Sequence, residues 1–241
     1  MLVAVGDVHG RADLYEAMLA ALADDVRRLE PASVLSAQLG DLIDRGPNSL
    51  DCLSLAAAGL SDFLDPGAAV EDVVLMGNHD DWLRMALDDT LGPSDVSTWV
   101  NNGGNETFAD FGIIYRGNVA ELAAELRDRT PAPLAAFIRS LGFKRHEGQI
   151  ILAHAGLDPR KPMEEQGPAE CLWIRGAFLD AEPWPFESIV VHGHTIEMRH
   201  PEEPKVHPHR IGIDSGAFGS GVLTAVEFQG SRMRFLQAIA E

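Results

Sequence analysis

The sequence has few basic residues for its length. Lys and Arg number 19 against 37 Asp and Glu, which gives a formal net charge of −18 at pH 7. Affinity for nucleic acid and for anionic lipid depends on neutralising phosphate charge, so this balance argues against both as partners. The same charge repels a phosphorylated ligand at long range. A phosphate-binding site would therefore need local positive charge, from a few Arg side chains or from metal ions.

Cysteines and long apolar runs are also scarce. The two cysteines, Cys52 and Cys171, are too few for a disulfide framework and match no metal-binding spacing. No apolar run approaches the roughly 18 residues that a membrane span needs. The first motif begins five residues after Met1, which leaves no room ahead of it for a signal peptide. We therefore expect a cytoplasmic protein that makes no membrane contact.

Short β-branched runs alternate with segments of helical periodicity, which is typical of an α/β protein. Two runs near the C-terminus, Leu223–Phe228 and Met233–Ala238, flank a Gly-containing turn and indicate a hairpin. Residues 81–145 are mainly helical in pattern and predict a helical cap or flanking block within a single domain, 1–241. Six further runs predict strands that end in polar turns: Leu2–Val5, Val34–Leu39, Val73–Met76, Ile150–Ala153, Ile189–Val191 and Ile211–Ile213.

Potential metal ligands follow five of these predicted strands. They are Asp7, His9, Asp41, Asn78, His154 and His194. Because ligand sites in open α/β sheets collect beyond the carboxyl ends of the strands, we expect these side chains to lie at one rim. Each motif alone also has an ordinary structural interpretation, such as a helix cap or an Asx turn. Several such interpretations would have to coincide to explain the whole series.

This candidate ligand set contains nitrogen and oxygen donors and no thiolate. Such a set favours Mn, Fe or Zn over Ca or a cysteine-bound structural zinc. Six ligands that include one bridging carboxylate suit a pair of ions rather than a single ion. Two ions about 3.5–4 Å apart can share a hydroxide and stabilise both ends of an in-line displacement. The pattern therefore predicts two-metal hydrolysis.

The motifs resemble those of the phosphoprotein phosphatase family of calcineurin-like metallophosphoesterases, of the bacterial serine/threonine protein phosphatase type. The matching segments, in an order that agrees over nearly the whole chain, are Gly6–Gly10, Gly40–Gly46, Gly77–Asp80, His154–Gly156 and Gly193–Thr195. The resemblance implies two mixed β-sheets flanked by helices. It also implies two divalent ions, with Mn favoured and Fe or Zn as alternatives. The first ion would be bound by Asp7, His9 and Asp41, and the second by Asp41, Asn78, His154 and His194.

The resemblance also implies catalytic roles. Arg45 and Arg175 would bind the phosphate oxygens, with Asn78 and His79 beside them. His79, oriented by Asp44, would protonate the leaving alkoxide after attack by the hydroxide that bridges the metals. Elementary chemistry agrees with these roles, because His has the side-chain pKa best suited to this proton transfer. The planar Arg fork likewise matches the equatorial oxygens of a transferring phosphoryl group.

The expected activity is hydrolysis of phosphoserine and phosphothreonine in proteins or peptides, with phosphotyrosine as a further candidate. The segment from His154 to Arg175, which includes Gln166, is similar to bacterial protein phosphatases. Symmetrical dinucleoside tetraphosphate hydrolases usually carry Gln at the position of His9, but dinucleoside polyphosphate or nucleotide hydrolysis stays the alternative. A non-catalytic scaffold on the same fold is disfavoured by the two complete ligand sets. The one departure in the core motifs is Asp80, where the family commonly has Glu.

Overall fold

Ten strands form two five-stranded sheets within residues 1–65, 67–197 and 203–240, the part of the chain described by a computed structural model. In chain order they are β1 (Leu2–Val5), β2 (Val34–Gln38), β3 (Val70–Val74), β4 (Lys144–Glu147), β5 (Ile150–Ala153), β6 (Ile189–His192), β7 (Lys205–Val206), β8 (Arg210–Gly212), β9 (Val222–Gln229) and β10 (Arg232–Ile239). The first sheet has the order β10-β9-β1-β2-β3, and the second β4-β5-β6-β8-β7. Parallel pairs at the centre of each sheet direct several strand ends to the same side.

The helices lie on the outer faces of these sheets. They are α1 (Ala12–Leu29), α2 (Ser49–Ala58), α3 (Asn78–Leu87), α4 (Pro93–Asn101), α5 (Gly104–Asp110), α6 (Val119–Arg129), α7 (Ala132–Ser140), α8 (Pro168–Trp173), α9 (Gly176–Leu179) and α10 (Ala217–Ser220). Short 3-10 helices span Leu60–Phe63 and Met163–Glu165. Among the helices of the described ranges, none is long and apolar enough to cross a membrane.

The two sheets pack face to face through a small apolar core. It contains Ala4 of β1, Ala37 of β2, Leu152 of β5, Val191 of β6 and Val226 of β9, all buried. Alternate residues of the same strands point the other way, because side chains along a strand alternate between faces. The resulting order is helices, sheet, sheet, helices, which confirms the predicted fold class.

Each outer face has its own core. On the first sheet, Val3 and Val5 pack against a large cluster that includes Met18 of α1, Leu53 of α2 and Leu126 of α6. Helices of the 81–145 segment therefore contribute to the same apolar cluster as α1 and α2. On the second sheet, residues of β5 and β6 pack against α8 and α9. Both helical layers thus fix the strands whose ends carry the candidate ligands.

The structure differs from the sequence-based prediction at several boundaries. The third strand is Val70–Val74 rather than Val73–Met76, and Leu75 makes only an isolated bridge to Gly142. Within the helical block predicted over 81–145, α4 and α5 are separate helices, because Gly103 between them has φ 98°, a left-handed conformation that ends α4. The edge strands β4 and β7 were not predicted, because their sequences are polar or very short and carry no buried alternation.

We expect Leu152→Ala to lower the free energy of unfolding by about 2–5 kcal/mol, since it removes a fully buried side chain from between the sheets. Urea denaturation measures this change. Ile114→Ala is the control, because the Ile114 side chain is 70% exposed and its loss should change stability by less than about 0.5 kcal/mol. If both substitutions changed the free energy of unfolding equally, the core between the sheets would not be a major source of stability.

Candidate metal centre

Backbone hydrogen bonds tie the strand ends of both sheets into one rim. The amides of Val8 and His9, after β1, donate to the carbonyl of Asp41, after β2, at 3.1 and 2.9 Å. The amide of His194, after β6 in the second sheet, donates to Oδ2 of Asp7 at 2.9 Å. The amide of Gly193 donates to the carbonyl of His154 at 2.8 Å. The loops that carry the predicted ligands therefore support one another across the sheet interface.

Several residues at this rim have left-handed backbone conformations. The φ angles are 47° at His9, 54° at Asp41, 74° at Asp44, 67° at Arg45 and 62° at His194. Non-glycine residues adopt this region at a cost of order 1–3 kcal/mol each, and only where the surrounding structure enforces it. Because several such residues lie at one place, we infer a site at which specific side-chain directions are maintained at the cost of backbone strain.

Asp41 lies at the centre of the rim. Its Oδ2 is 3.4 Å from Nε2 of His9 and 3.4 Å from Nε2 of His154. Its Oδ1 accepts a hydrogen bond from the amide of His79 at 3.0 Å. Burial acts to raise the pKa of Asp41, but the surrounding imidazoles, His154 first among them, outweigh burial and hold the pKa below its ordinary value. A carboxylate that stays ionised between two imidazoles is a suitable bridging ligand.

The unprotonated ring nitrogen of His154 faces the side-chain oxygens of Asn78 and Asp41. Its Nδ1–H donates to the carbonyl of Leu39 at 3.0 Å, so Nε2 is the unprotonated nitrogen in the neutral ring. Nε2 then lies 3.0 Å from Oδ1 of Asn78 and close to the Asp41 carboxylate. Burial lowers the pKa of His154, which keeps the ring neutral. Several acceptor atoms directed at one another in a buried place have the arrangement that a cation stabilises.

Two buried polar atoms at the rim have no hydrogen-bond partner among the described residues: Oδ1 of Asp7 and Nε2 of His194. Burial, followed by the proximity of His154, lowers the pKa of His194 to about 2, so its ring is neutral. Burial, and then the nearby Asp214 and Asp41 carboxylates, raise the pKa of Asp7 well above its ordinary value. A divalent cation would satisfy both orphan atoms and would keep Asp7 ionised, so the residues present fit a metal centre.

Within the described ranges, two groups of His and Asp side chains have ligand atoms that all lie within 4.8 Å of one another. The group of Asp41, His154 and His194 consists of predicted ligands of the second metal. The other group joins His9 and Asp41 to His79 rather than to Asp7. Asp7 is connected to the rim through the His194 amide instead. The geometry shows side chains at the rim that can bind metal. The division of the ligands between two ions stays a prediction.

His79 lies beside this metal centre and is held by a carboxylate. Its Nδ1–H donates to Oδ2 of Asp44 at 2.5 Å, and both side chains are buried. Burial acts to lower the pKa of His79, but Asp41 and then Asp44 outweigh burial and raise the pKa above its ordinary value. Because Nδ1–H is directed at Asp44, Nε2 is the nitrogen that faces the rim.

The guanidinium of Arg45 lies between two imidazoles of the rim. Its Nη1 is 2.9 Å from Nε2 of His9, and its Nη2 is 3.2 Å from Nε2 of His79. The Phe218 ring covers the guanidinium, with Cζ 4.7 Å from the ring centroid. Arg175 is exposed, and its Nη1 donates to Oγ1 of Thr195, one residue beyond His194. Both predicted phosphate-binding cations are therefore next to the candidate ligands.

Sequence reasoning did not assign roles to Trp99 and Thr107, which support the centre. Asp44 accepts hydrogen bonds from Nε1 of Trp99 at 2.6 Å and from Oγ1 of Thr107 at 2.5 Å. The carboxylate of Asp80 accepts from the amides of Gly77, Asp41 and Leu42 at 2.7–3.0 Å, which fixes two motifs together. Asp80, where Glu is common in the family that the sequence resembles, is long enough for this support. The polar atoms of Trp99 and Thr107 reach Asp44 only through the packing of their helices, so no spacing in the sequence indicates these contacts.

Comparisons with known proteins agree with this geometry. The family model described as calcineurin-like phosphoesterase matches residues 1–198. Serine/threonine-protein phosphatase 1 of Salmonella typhimurium is 34% identical over 101 residues, 42% of this chain and 38% of that protein. The symmetrical bis(5′-nucleosyl)-tetraphosphatase of Dechloromonas aromatica is 30% identical over 157 residues, 65% of this chain and 44% of that protein. The chain thus spans about two fifths of the length of these curated relatives.

Solved structures with the same fold cover nearly the whole chain. A protein provisionally assigned as a diadenosine tetraphosphatase superposes with a TM-score of 0.60 at 21% identity, covering 98% of this chain and 93% of that one. A cold-active protein-tyrosine phosphatase from a psychrophilic Shewanella superposes with a TM-score of 0.53 at 16% identity, covering 98% of this chain and 80% of that one. At these identities the likeness concerns the fold alone.

We expect Gly193→Ala to weaken metal binding. A Cβ atom at this position would lie 1.9 Å from Oδ1 of Asp7, so the carboxylate would have to leave its place at the rim. Titration of the metal-free protein with Mn²⁺ by calorimetry should show a loss of affinity of roughly 10- to 100-fold, as found for changes that disturb ligand orientation. Gly219→Ala is the matched control, because nothing lies within 4 Å of its added methyl group. Unchanged Mn²⁺ affinity in Gly193→Ala would contradict a role for Asp7 as ligand.

Proposed function

Because this chain belongs to the calcineurin-like phosphoesterase family, whose members are metal-dependent hydrolases with a binuclear centre, we propose that it is a protein phosphatase for phosphoserine and phosphothreonine. The observation that carries the proposal is the position of Arg45. Its guanidinium lies within hydrogen-bonding distance of both His9 and His79. A phosphate group bound to Arg45 would therefore be next to the metal centre on one side and a proton donor on the other.

In this proposal the rim holds two divalent ions, Mn²⁺ by preference, with Fe or Zn as alternatives. The residues that would hold them are Asp7, His9 and Asp41 for one ion, and Asp41, Asn78, His154 and His194 for the other. Bound ions supply positive charge for the phosphate and activate water as a nucleophile at neutral pH. The chain prepares this place by keeping the three imidazoles that would bind the ions neutral and the Asp41 carboxylate ionised.

Arg45 and Arg175 bind the phosphate in the proposed reaction. Negative charge spreads over the equatorial phosphate oxygens in the transition state, and guanidinium groups stabilise it through paired N–H donors. When His79 is protonated, its Nε2–H and Nη2 of Arg45 are two donors 3.2 Å apart. Both can be satisfied by oxygens of one bound phosphate ester.

His79 supplies the proton that the leaving group needs. As the phosphorus–oxygen ester bond breaks, the proton on Nε2 passes to the departing serine or threonine oxygen, which leaves as an alcohol. Asp44 accepts from Nδ1–H throughout, so it orients the ring and stabilises its protonated form. A serine or threonine alkoxide is a poor leaving group, and this proton transfer is therefore expected to contribute roughly 10²- to 10⁴-fold to the rate.

Four observations bear on the substrate. His9 offers an imidazole where tetraphosphate hydrolases usually have Gln, and the match to a serine/threonine phosphatase has the higher identity. Both favour phosphorylated protein or peptide as the substrate. The match to the symmetrical tetraphosphatase is longer, however, and favours a dinucleoside polyphosphate hydrolase as the second candidate. The protein-tyrosine phosphatase among the structural neighbours supports including phosphotyrosine as a third test substrate.

We expect His79→Asn to keep its bound metal and to lose roughly 10²- to 10⁴-fold in kcat on a phosphothreonine peptide, the range that proton transfer contributes. Elemental analysis measures the metal, and steady-state kinetics the rate. His146→Asn makes the same change at an exposed His and should leave both quantities unaltered. An unchanged kcat in His79→Asn would remove His79 from the mechanism.

We expect the Mn-loaded protein to prefer phosphothreonine peptides over diadenosine tetraphosphate by about 100-fold in kcat/KM, which is about 2.7 kcal/mol of differential transition-state stabilisation. Phosphotyrosine peptides are measured in the same series. A reversed preference would keep the metal chemistry and replace the protein phosphatase by the dinucleotide hydrolase.

A further inference from the structure

We infer that Trp99 and Thr107 are positioning residues that hold the Asp44 carboxylate in place, so that His79 can protonate poor leaving groups. The inference rests on the proposed role of His79 as proton donor and extends it to the helical segment outside the matched motifs. Trp99 lies in α4 and Thr107 in α5. Neither residue reaches the candidate ligands directly, and each acts through Asp44.

The three donors to Asp44 use both of its oxygens. Oδ2 accepts from Nδ1 of His79 at 2.5 Å and from Nε1 of Trp99 at 2.6 Å. Oδ1 accepts from Oγ1 of Thr107 at 2.5 Å. The carboxylate and both supporting residues have no exposed surface. Water therefore does not replace a lost donor without a local rearrangement, and the plane of the carboxylate is set by these contacts.

Thr107 also connects Asp44 to the rest of its loop. Its Oγ1 accepts from the amide of Asp44 at 2.9 Å and shares a 2.8 Å hydrogen bond with Oγ of Ser49. Ser49 begins α2, so one hydroxyl group joins the loop after β2 to two helices. The left-handed backbone of Asp44 is thereby fixed together with its side chain.

The indole of Trp99 is itself held tightly. Its ring contacts Phe108 edge to face at 4.8 Å and stacks on Trp82 at 6.1 Å. Gly104 lies so close that an added Cβ would be 2.5 Å from the ring. Trp82 in turn packs edge-on against His79 at 4.9 Å. An aromatic cluster therefore reaches from the helical segment to both members of the His79–Asp44 pair.

A carboxylate with these donors has two consequences for His79. Burial raises the pKa of Asp44, and the hydrogen bonds from His79 first, and then from Thr107 and Trp99, act against burial and favour the ionised carboxylate. The bonds from Trp99 and Thr107 also leave Oδ2 directed at Nδ1 of His79. Without them, Asp44 would be free to rotate or to take up a proton, and the His79 ring would lose its fixed direction toward the leaving oxygen.

The test separates positioning from simple stability by varying the leaving group. Thr107→Val keeps the shape and removes the hydroxyl donor, and Trp99→Phe removes the indole donor. Each Mn-loaded variant is assayed on a phosphothreonine peptide and on 4-nitrophenyl phosphate, whose phenolate leaves without full protonation. We expect a loss in kcat of roughly 10- to 100-fold on the peptide, within the contribution of proton transfer, and of less than about 3-fold on the aryl phosphate.

Controls use the same chemical changes. Thr107→Ser retains the hydroxyl and should restore peptide turnover. Trp184→Phe removes another indole donor, bonded to the carbonyl of Ser188 away from the rim, and should change neither rate. Mn content is measured for every variant, so that metal loss is not mistaken for a slower proton transfer.

His79→Asn serves as the reference for the leaving-group effect. If it slows both substrates equally, the proposed proton donor is wrong. If it slows the peptide selectively but Thr107→Val and Trp99→Phe slow both substrates alike, or neither, the positioning inference is overturned and the proposed function stands. Should Trp99→Phe fail to fold, Thr107→Val and Thr107→Ser together decide the question alone.

Discussion

The site depends on the position of Asp41 at the carboxyl end of β2, because the carbonyl, amide and carboxylate groups of Asp41 all contact other motifs. Its carbonyl accepts the amides of Val8 and His9, and its amide donates to Asp80. Its side chain lies between the imidazoles of His9 and His154 and accepts the amide of His79. Both sheets and the start of α3 therefore meet at one residue. Any shift of Asp41 would move metal ligands and proton donor together.

Three buried carboxylates near the site differ in how many donors the chain gives them. Asp44 and Asp80 are supplied with donors by the chain itself, three to each side chain. Asp7 receives one backbone donor and leaves an oxygen without a partner among the residues described. Since a buried carboxylate is costly unless its charge is compensated, Asp44 and Asp80 are complete without metal and Asp7 is not. This difference separates residues that position the site from those suited to bind a cation.

Much of the fold and the rim could be predicted from the sequence, because both follow from local rules. Buried strands that end in polar turns place Asp7, Asp41 and His154 at strand ends. This placement follows from the local sequence and does not depend on how the sheets are arranged. The polar edge strand β4 escaped prediction since it is stabilised by pairing, not by burial. The bond from Trp99 to Asp44 escaped for a different reason: a residue 55 positions away is brought there only by packing of α4 and α5. Sequence spacing contains no trace of that contact.

The overall charge of the chain also bears on the choice between the two proposed substrates. With a net charge of −18, long-range repulsion rises with the number of phosphates that a ligand brings. A dinucleoside tetraphosphate carries several negative charges along its whole length, whereas a phosphopeptide can combine one phosphate with basic residues on either side. The local cations at the rim, Arg45 and Arg175, can match one phosphate group at short range. They cannot offset repulsion of a chain of phosphates beyond their reach, so the charge pattern of this molecule favours a phosphorylated protein segment over a polyphosphate.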